Sequence, residues 1–249
     1  MAVAFQAVGS LATNITTQTL GVVAPTCQLN DILVCCLINK LLTVAISPPD
    51  STWTQIYQAD GDCTTAADDH RAAIYWKRAA QSDSGATFNF TKVSGTDLFA
   101  GVISAWRGCK EMGSPIDLTA VGATVTVGAA DTVSFPAFDP RADQSQVLFV
   151  AFYGNDLTTF AAAMSVDVNP DCTNRWDLET ASGSDCTIAC TSGQSDGQNI
   201  ASRTWASAST NDSGSTGVVF ALIPAPSTVF NNYQQVRVGD GMSTGDRIR

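Results

Sequence analysis

Two short runs constrain the fold more than anything else in the chain: DILVCCLI at 31–38 and QVLFVAFY at 146–153. Beyond its first residue each is apolar at successive positions, so both faces of whatever it forms must be covered. Each is far shorter than the roughly 18–20 apolar residues of a membrane span. Runs of this length, bounded by turn residues, favour a strand over a helix. A strand apolar on both faces lies in the middle of a layered structure. Successive strand residues point to opposite sides. Cys35 therefore goes with Leu33 and Leu37, and Cys36 with Ile32, Val34 and Ile38. The adjacent thiols diverge, and in the second run Val150 and Ala151 take their places. This predicts core packing rather than reagents or metal ligands.

Elsewhere the pattern has period two. In ATFNFTK, Ala86, Phe88 and Phe90 share one face and Thr87, Asn89 and Thr91 the other, as in a half-buried strand. In HRAAIYWKR, Ala72, Ile74 and Trp76 form an inner face, with Arg71, Tyr75 and Lys77 opposite and exposed. LFAGVISAW (98–106), TVSF (132–135) and GVVFALI (217–223) are further strands, separated by turn clusters such as SPPDS (47–51) and DPRAD (139–143). No long segment has a helical period. The acidic residues agree: 21 are Asp and only two, Glu111 and Glu179, are Glu, while Lys numbers four. Helix surfaces favour Glu and Lys, and turns favour Asp. The expected fold is all-β, a jelly-roll-like two-sheet β-sandwich. With 45% hydrophobic and 14% charged residues, a substantial core rather than disorder is expected. A net charge of −10 argues against nucleic acid as a partner. The N-terminus, MAVAFQAVGS, has neither the basic flank nor the apolar length of a signal peptide, so folding in a cytosol, with no membrane partner, is expected.

The chain also repeats itself. WTQIYQADGDCT (53–64) aligns without a gap over WDLETASGSDCT (176–187), and the strand ending at Trp76 is matched to the one ending at Trp205. Two pseudo-halves, about 27–119 and 120–226, are predicted to bury one common core in a single domain over 1–226. After Pro224 and Pro226 the pattern changes, and residues 227–249 read as an extended, mildly basic C-terminal arm. Its Phe230, Tyr233 and Val236, with Arg237, Arg247 and Arg249, are the candidate assembly residues, because so apolar a tail is expected to lie against a neighbouring subunit.

Catalytic and metal motifs are weak. GQSDG (193–197) fits G-x-S-x-G, but it lacks the strand-then-helix setting of a nucleophile elbow, and the single histidine, His70, precedes it. It is expected to be a surface loop. His70, after Asp68 and Asp69, has no paired nucleophile in sequence and is expected to be solvated. Asp60 and Asp62 with Asp68 and Asp69 supply oxygen ligands for Ca²⁺ but not the spacing of an EF-hand; an Asp-rich turn is the stronger reading. Cys186 and Cys190, with Cys172 and Cys63 near, lack zinc-site spacing, and a loop disulfide from Cys172 to Cys186 or Cys190 is open. No catalytic, cofactor or metal residue is assigned, and no cofactor is expected.

The order of segments carries a resemblance. NDILVCCLI is followed by PPDSTWTQI, AAIYWKRA, GATFNFT and AGVISAWRG with SPID after it; then come a TVTV/TVSFP linker, DQSQVLFVAF and GVVFALIPAP. Over residues 27–226 this resembles β-sandwich structural proteins of tailed bacteriophages, of the capsid- or tail-attached decoration or fibre type. The family's Gly before the Trp of the second element is Thr52 here. The resemblance implies a non-enzymatic virion protein, assembled in the host cytoplasm, with copies of itself and other virion proteins as partners. The alternative is a carbohydrate-binding or adhesin module that takes a host-surface glycan. Against it, Trp53, Trp76, Trp106 and Trp205 stand in apolar strand contexts.

Overall fold

In the computed structural model of the chain, the described residues are 2–63, 66–117, 121–129, 132–154, 164, 170–180, 186–206 and 213–226. Among them all regular structure is β apart from one 3₁₀ turn, Ala66–Asp68. A six-stranded antiparallel sheet runs β1 (Ala4–Val8), β9 (Phe99–Arg107), β4 (Ile32–Asn39), β7 (His70–Arg78), β6 (Thr54–Gly61), with β2 (Ala12–Asn14) also on β9. A five-stranded sheet runs β10 (Gly122–Ala129), β16 (Ser213–Leu222), β12 (Gln146–Tyr153), β14 (Thr187–Gln194), β13 (Thr173–Glu179). Two small sheets complete the set: β3 (Thr19–Val23), β8 (Thr87–Lys92), β5 (Ile46–Ser47), and β11 (Thr132–Phe135) with β15 (Arg203–Ala206).

The four sheets stack as layers, and the burial of alternate residues gives their order. Val34, Cys36 and Ile38 of β4 meet Leu148, Val150 and Phe152 of β12 in a central core between the two large sheets. Leu33, Cys35 and Leu37 point the other way, into a second core roofed by the three-stranded sheet. Phe149, Ala151 and Tyr153 likewise point into a third core under β11 and β15. β4 and β12 are buried at every position, and Cys35 and Cys36 diverge into different cores. The all-β sandwich is thus observed, with a small outer sheet added on each side of the central pair. The expected common core is one of three.

The duplication is visible in the topology. Reading β1, β9, β4, β7, β6 against β10, β16, β12, β14, β13 gives the same sequence of partners, and β3–β8 matches β11–β15. The first repeat therefore begins at β1, ahead of residue 27, and the TVTV segment expected as a linker is strand β10, the counterpart of β1. Three alignments need correction. Leu37 lies opposite Gly101 and Ala151 opposite Gly217, so Cys35 and Cys36 correspond to Phe149 and Val150 rather than to Val150 and Ala151. Cys36 pairs with Ile74, which pairs with Tyr57; Val150 pairs with Cys190, which pairs with Trp176. Both edge strands carry a β-bulge just before that position. Trp176 is thus the counterpart of Tyr57 rather than of Trp53. Trp53 lies in the outer core against Phe88 and Phe90, whereas Trp176 lies in the central one. Trp205, on β15, corresponds to the β8 position and not to Trp76.

One glycine recurs at the same place in both repeats. Gly101 pairs with Leu37 and Gly217 with Ala151. A Cβ on Gly217 would overlap the Ser134 carbonyl oxygen of β11, whereas one on Gly101 would meet the Leu37 methyl. Backbone cannot step aside as a leucine tip can. Gly217→Ala is expected to cost about 2–3 kcal/mol, and Gly101→Ala visibly less, in urea unfolding of the two variants side by side.

Candidate functional site

The densest grouping of chemistry-bearing side chains lies at one end of the central core, where the two large sheets meet. His70 opens β7 directly after the 3₁₀ turn, and it is fully buried. Its Nδ1 lies 3.0 Å from the Asp68 carbonyl oxygen and its Nε2 lies 2.9 Å from Thr216 Oγ1 on β16 of the other repeat. A carbonyl only accepts, so Nδ1 carries the proton, while the Thr216 hydroxyl can either donate to Nε2 or accept from it. Burial disfavours the charged ring, so the imidazole is neutral and Nε2 is left to accept from the threonine. Cys63 Sγ lies 3.9 Å from Nδ1, and the Cys63 amide donates to Asp69 Oδ1 at 2.8 Å. Lys40, just past β4, donates from Nζ to the Gly154 carbonyl just past β12. The cluster joins the repeats: His70 to Thr216 and Lys40 to Gly154 are both bonds between them.

A thiol beside an imidazole invites comparison with a nucleophile and its base. The electrostatics oppose it. Burial, with Asp69 and Asp68 adding to it, pushes the Cys63 thiol up to about 11. Burial also pushes His70 down to about 4, against the raising effect of the Asp68 carbonyl. An activated pair needs the reverse, a depressed thiol and a histidine near neutrality. At neutral pH both groups are uncharged, and both imidazole nitrogens are already bonded. The arrangement holds two sheets together, and the expectation of a solvated His70 is corrected: the adjoining repeat covers it.

The other sequence candidates are placed as follows. Arg71, Tyr75 and Lys77 do not form an exposed face. The three-stranded sheet covers that side of β7, leaving Tyr75 at 2% and Lys77 at 7% exposure. Tyr75 donates its hydroxyl to the Ile46 carbonyl at 2.5 Å. Lys77 pairs with Asp83 at 2.9 Å and sits 4.7 Å above the Phe88 ring. Arg71 pairs with Asp60 at 2.6 Å, and Asp60 also accepts from the Thr43 amide, so Asp60 is engaged in bonds within its own repeat. Among the described residues no three His, Cys, Asp or Glu side chains converge as metal ligands. Ser195 is not on a surface loop. It is buried just after β14, its amide donates to the Ser145 carbonyl, and its Oγ accepts from the Gly197 amide at 3.0 Å. All eight cysteines are buried free thiols, so the disulfide from Cys172 is absent. Cys172 instead accepts from Arg203 at 3.6 Å. Phe230, Tyr233, Val236, Arg237, Arg247 and Arg249 lie outside the described residues.

A second feature escaped the sequence reading. Where the chain leaves the last strand, residues 110–112 and 223–226 line an open groove of about 490 Å³. Met112 beside it is 82% exposed. A smaller hollow of about 230 Å³ adjoins it through Glu111 and Ala225 and reaches Leu29, itself 57% exposed. The floor of the hollow is firm: buried Asp31 takes two 2.8 Å bonds from Arg107, and the Gln28 amide bonds the same carboxylate. Local sequence gives no cue here, because the groove forms only when the turn after β9 meets the segment after β16 in a bridge of Cys109 with Pro224.

Comparison with family models, with curated proteins and with solved structures finds no match.

Proposed function

We propose that the chain is a non-enzymatic structural subunit of a bacteriophage virion, assembling in many copies on the capsid or tail surface. The observation that carries this reading is where the side chains of potential chemistry have gone. The single histidine is neutral and bonded at both nitrogens, one of them across the seam, the thiols are buried, and Lys77, Arg71 and Arg107 are all paired within the body. Such an interior is committed to cohesion. The order of segments over 27–226, which resembles phage sandwich proteins, supports the same reading.

Assembly then falls to edges, loops and the arm. The N-terminal strand is used within the body, since β1 pairs along β9 of its own chain. β6 and β13 end their sheets among the described residues and are edges to which an extended segment can add. The glycan-binding alternative requires aromatic rings presented in a groove. Trp53, Trp106, Trp176 and Trp205 are each at most 5% exposed, Trp76 is partly buried and packs against the central core, and the open groove is lined by Met and Pro instead.

The test is particle composition. Gel and mass analysis of purified virions is expected to show this chain at many copies per particle, and deletion of 227–249 is expected to leave a soluble body that no longer incorporates. Virions free of the chain would end the proposal.

A further inference from the structure

We infer that strand β10 pairs antiparallel with β10 of a second copy of this chain, about a two-fold axis at Val125, joining two five-stranded sheets into one continuous sheet. The inference rests on the assembly reading above and names an edge and a partner that reading leaves open. Three observations carry it.

The first is that β10 is an open edge. Among the described residues it pairs with β16 on one side and with no strand on the other. The backbone N–H and C=O groups along that side are a template for another strand.

The second is that this edge lacks the devices that blunt the others. β1, β6 and β13 form the remaining ends of the two large sheets. Each is interrupted by a bulge near its start, between Phe5 and Ala7, Gln55 and Tyr57, and Asn174 and Trp176. β6 also carries Asp60, and β13 carries Arg175, Asp177 and Glu179. Bulges and charges are what keep an edge from pairing. β10 instead holds five successive residues, Gly122–Thr126, in unbroken register with β16. No Asp, Glu, Lys or Arg lies between Asp117 and Asp131. Two chains of net charge −10 repel each other, and they meet most easily along an edge where neither carries charge.

The third decides the occupant. Residues 120–130 read AVGATVTVGAA. About Val125 the order is nearly the same in both directions: Thr124 answers Thr126, Ala123 answers Val127, Gly122 answers Gly128 and Ala120 answers Ala130. Two identical antiparallel strands set each residue opposite the one equally far on the other side of the two-fold axis. Pairing about Val125 therefore brings Thr to Thr, Val to Val and Gly to Gly. The central pairs are β-branched, a combination favoured across strands. A second copy supplies this matching order by identity. The irregularity after Thr126 lies outside the three central pairs. Such an isologous contact is self-complementary and closes at two copies.

The experiment uses the purified full chain, in which all eight native thiols are buried. Val125→Cys is treated with a short bis-maleimide beside Ala123→Cys and the parent chain. Position 125 faces its own copy, whereas the two 123 positions lie four residues, about 13 Å, apart along the paired strands. The expected result is an adduct of twice the chain mass, at least tenfold more abundant for Val125→Cys than for Ala123→Cys or the parent. No such adduct, or one as abundant at 123, would overturn the inference. Sedimentation equilibrium gives a readout without added thiols. The parent is expected to dimerise. Val125→Lys and Val125→Asp are each expected to weaken dimerisation at least tenfold, because like charges then face each other, and an equal mixture of the two to recover it. A monomeric parent, as when the chain's own tail covers the edge, would overturn the inference, and so would a mixture no better than its components. Absence of the chain from virions would end the virion reading while leaving the solution dimer standing, so the two failures are distinguishable.

Discussion

Phe152→Ala is expected to destabilise both repeats together, by about 3–5 kcal/mol, lowering Tm by roughly 10 °C for a chain of this size. Phe152 is fully buried on the face of β12 that meets β4. Truncation there removes a ring from the one core to which both repeats contribute, and the rigid strands on either side cannot collapse to fill the space. The diagnostic quantity is where the protection is lost. Amide hydrogen exchange is expected to quicken in β4, β7 and β9 as well as in β12, β14 and β16, with thermal unfolding remaining a single cooperative transition. Phe90→Ala is the contrast. Phe90 lies under the small outer sheet, against Trp53 and Tyr75, so its truncation should loosen β3 and β8 first. Exchange after Phe152→Ala that quickened only in the second repeat would show two independent domains and contradict the shared central layer.

How much of this was legible beforehand follows from what periodicity can report. β4 and β12 were readable because an unbroken apolar run has only one home in a layered protein, and the opposite directions of Cys35 and Cys36 followed from strand geometry alone. β7 was misread for a related reason. Alternation in HRAAIYWKR separates its two faces correctly, but Arg71 and Lys77 made the outer face look wet. Their partners, Asp60 and Asp83, lie on neighbouring segments and neutralise them there. Whether a second layer covers a polar-tipped face is a property of distant chain, and no local window contains it. His70 failed in the same way, since the hydroxyl that accepts its burial belongs to Thr216, in the other repeat.

The repeat itself was seen through the wrong residues. The gapless match of Trp53 to Trp176 rests on side chains that serve different cores, while the true counterparts, Tyr57 and Trp176, share only aromaticity. Sequence separation within a repeat is set by turn lengths and drifts freely, whereas the order of strand pairing does not. Gly101 and Gly217, each with a Val after it, were the better markers, because close approach of the neighbouring layer dictates them.

Acidification is expected to release the seam between the repeats, and His70 sets the range. Its folded value of about 4 lies below the ordinary 6.5, so between those values the unfolded chain binds a proton that the folded one refuses. Stability is therefore full above about pH 6.5 and falls as pH drops, by about 3 kcal/mol in all once pH reaches 4. Below that the folded imidazole protonates as well and the loss levels off. Around the ring stand the Asp68 carbonyl, Thr216, Lys40, Asp69, Asp60 and Cys63. The Asp68 carboxyl is raised by burial, so it works in the opposite sense, releasing its proton late and favouring the folded state in acid. That contribution partly offsets the loss from the imidazole in acid. Urea midpoints at pH 7.0, 5.5 and 4.5 are expected to fall steadily for the parent chain. In His70→Gln, whose amide can still donate to the Asp68 carbonyl and accept from Thr216, the same series should be flatter by most of that amount, at the cost of a lower midpoint at pH 7. A parent profile that stays level from pH 7 to 4.5 would mean that the ring is wet, and that the two large sheets do not close over it.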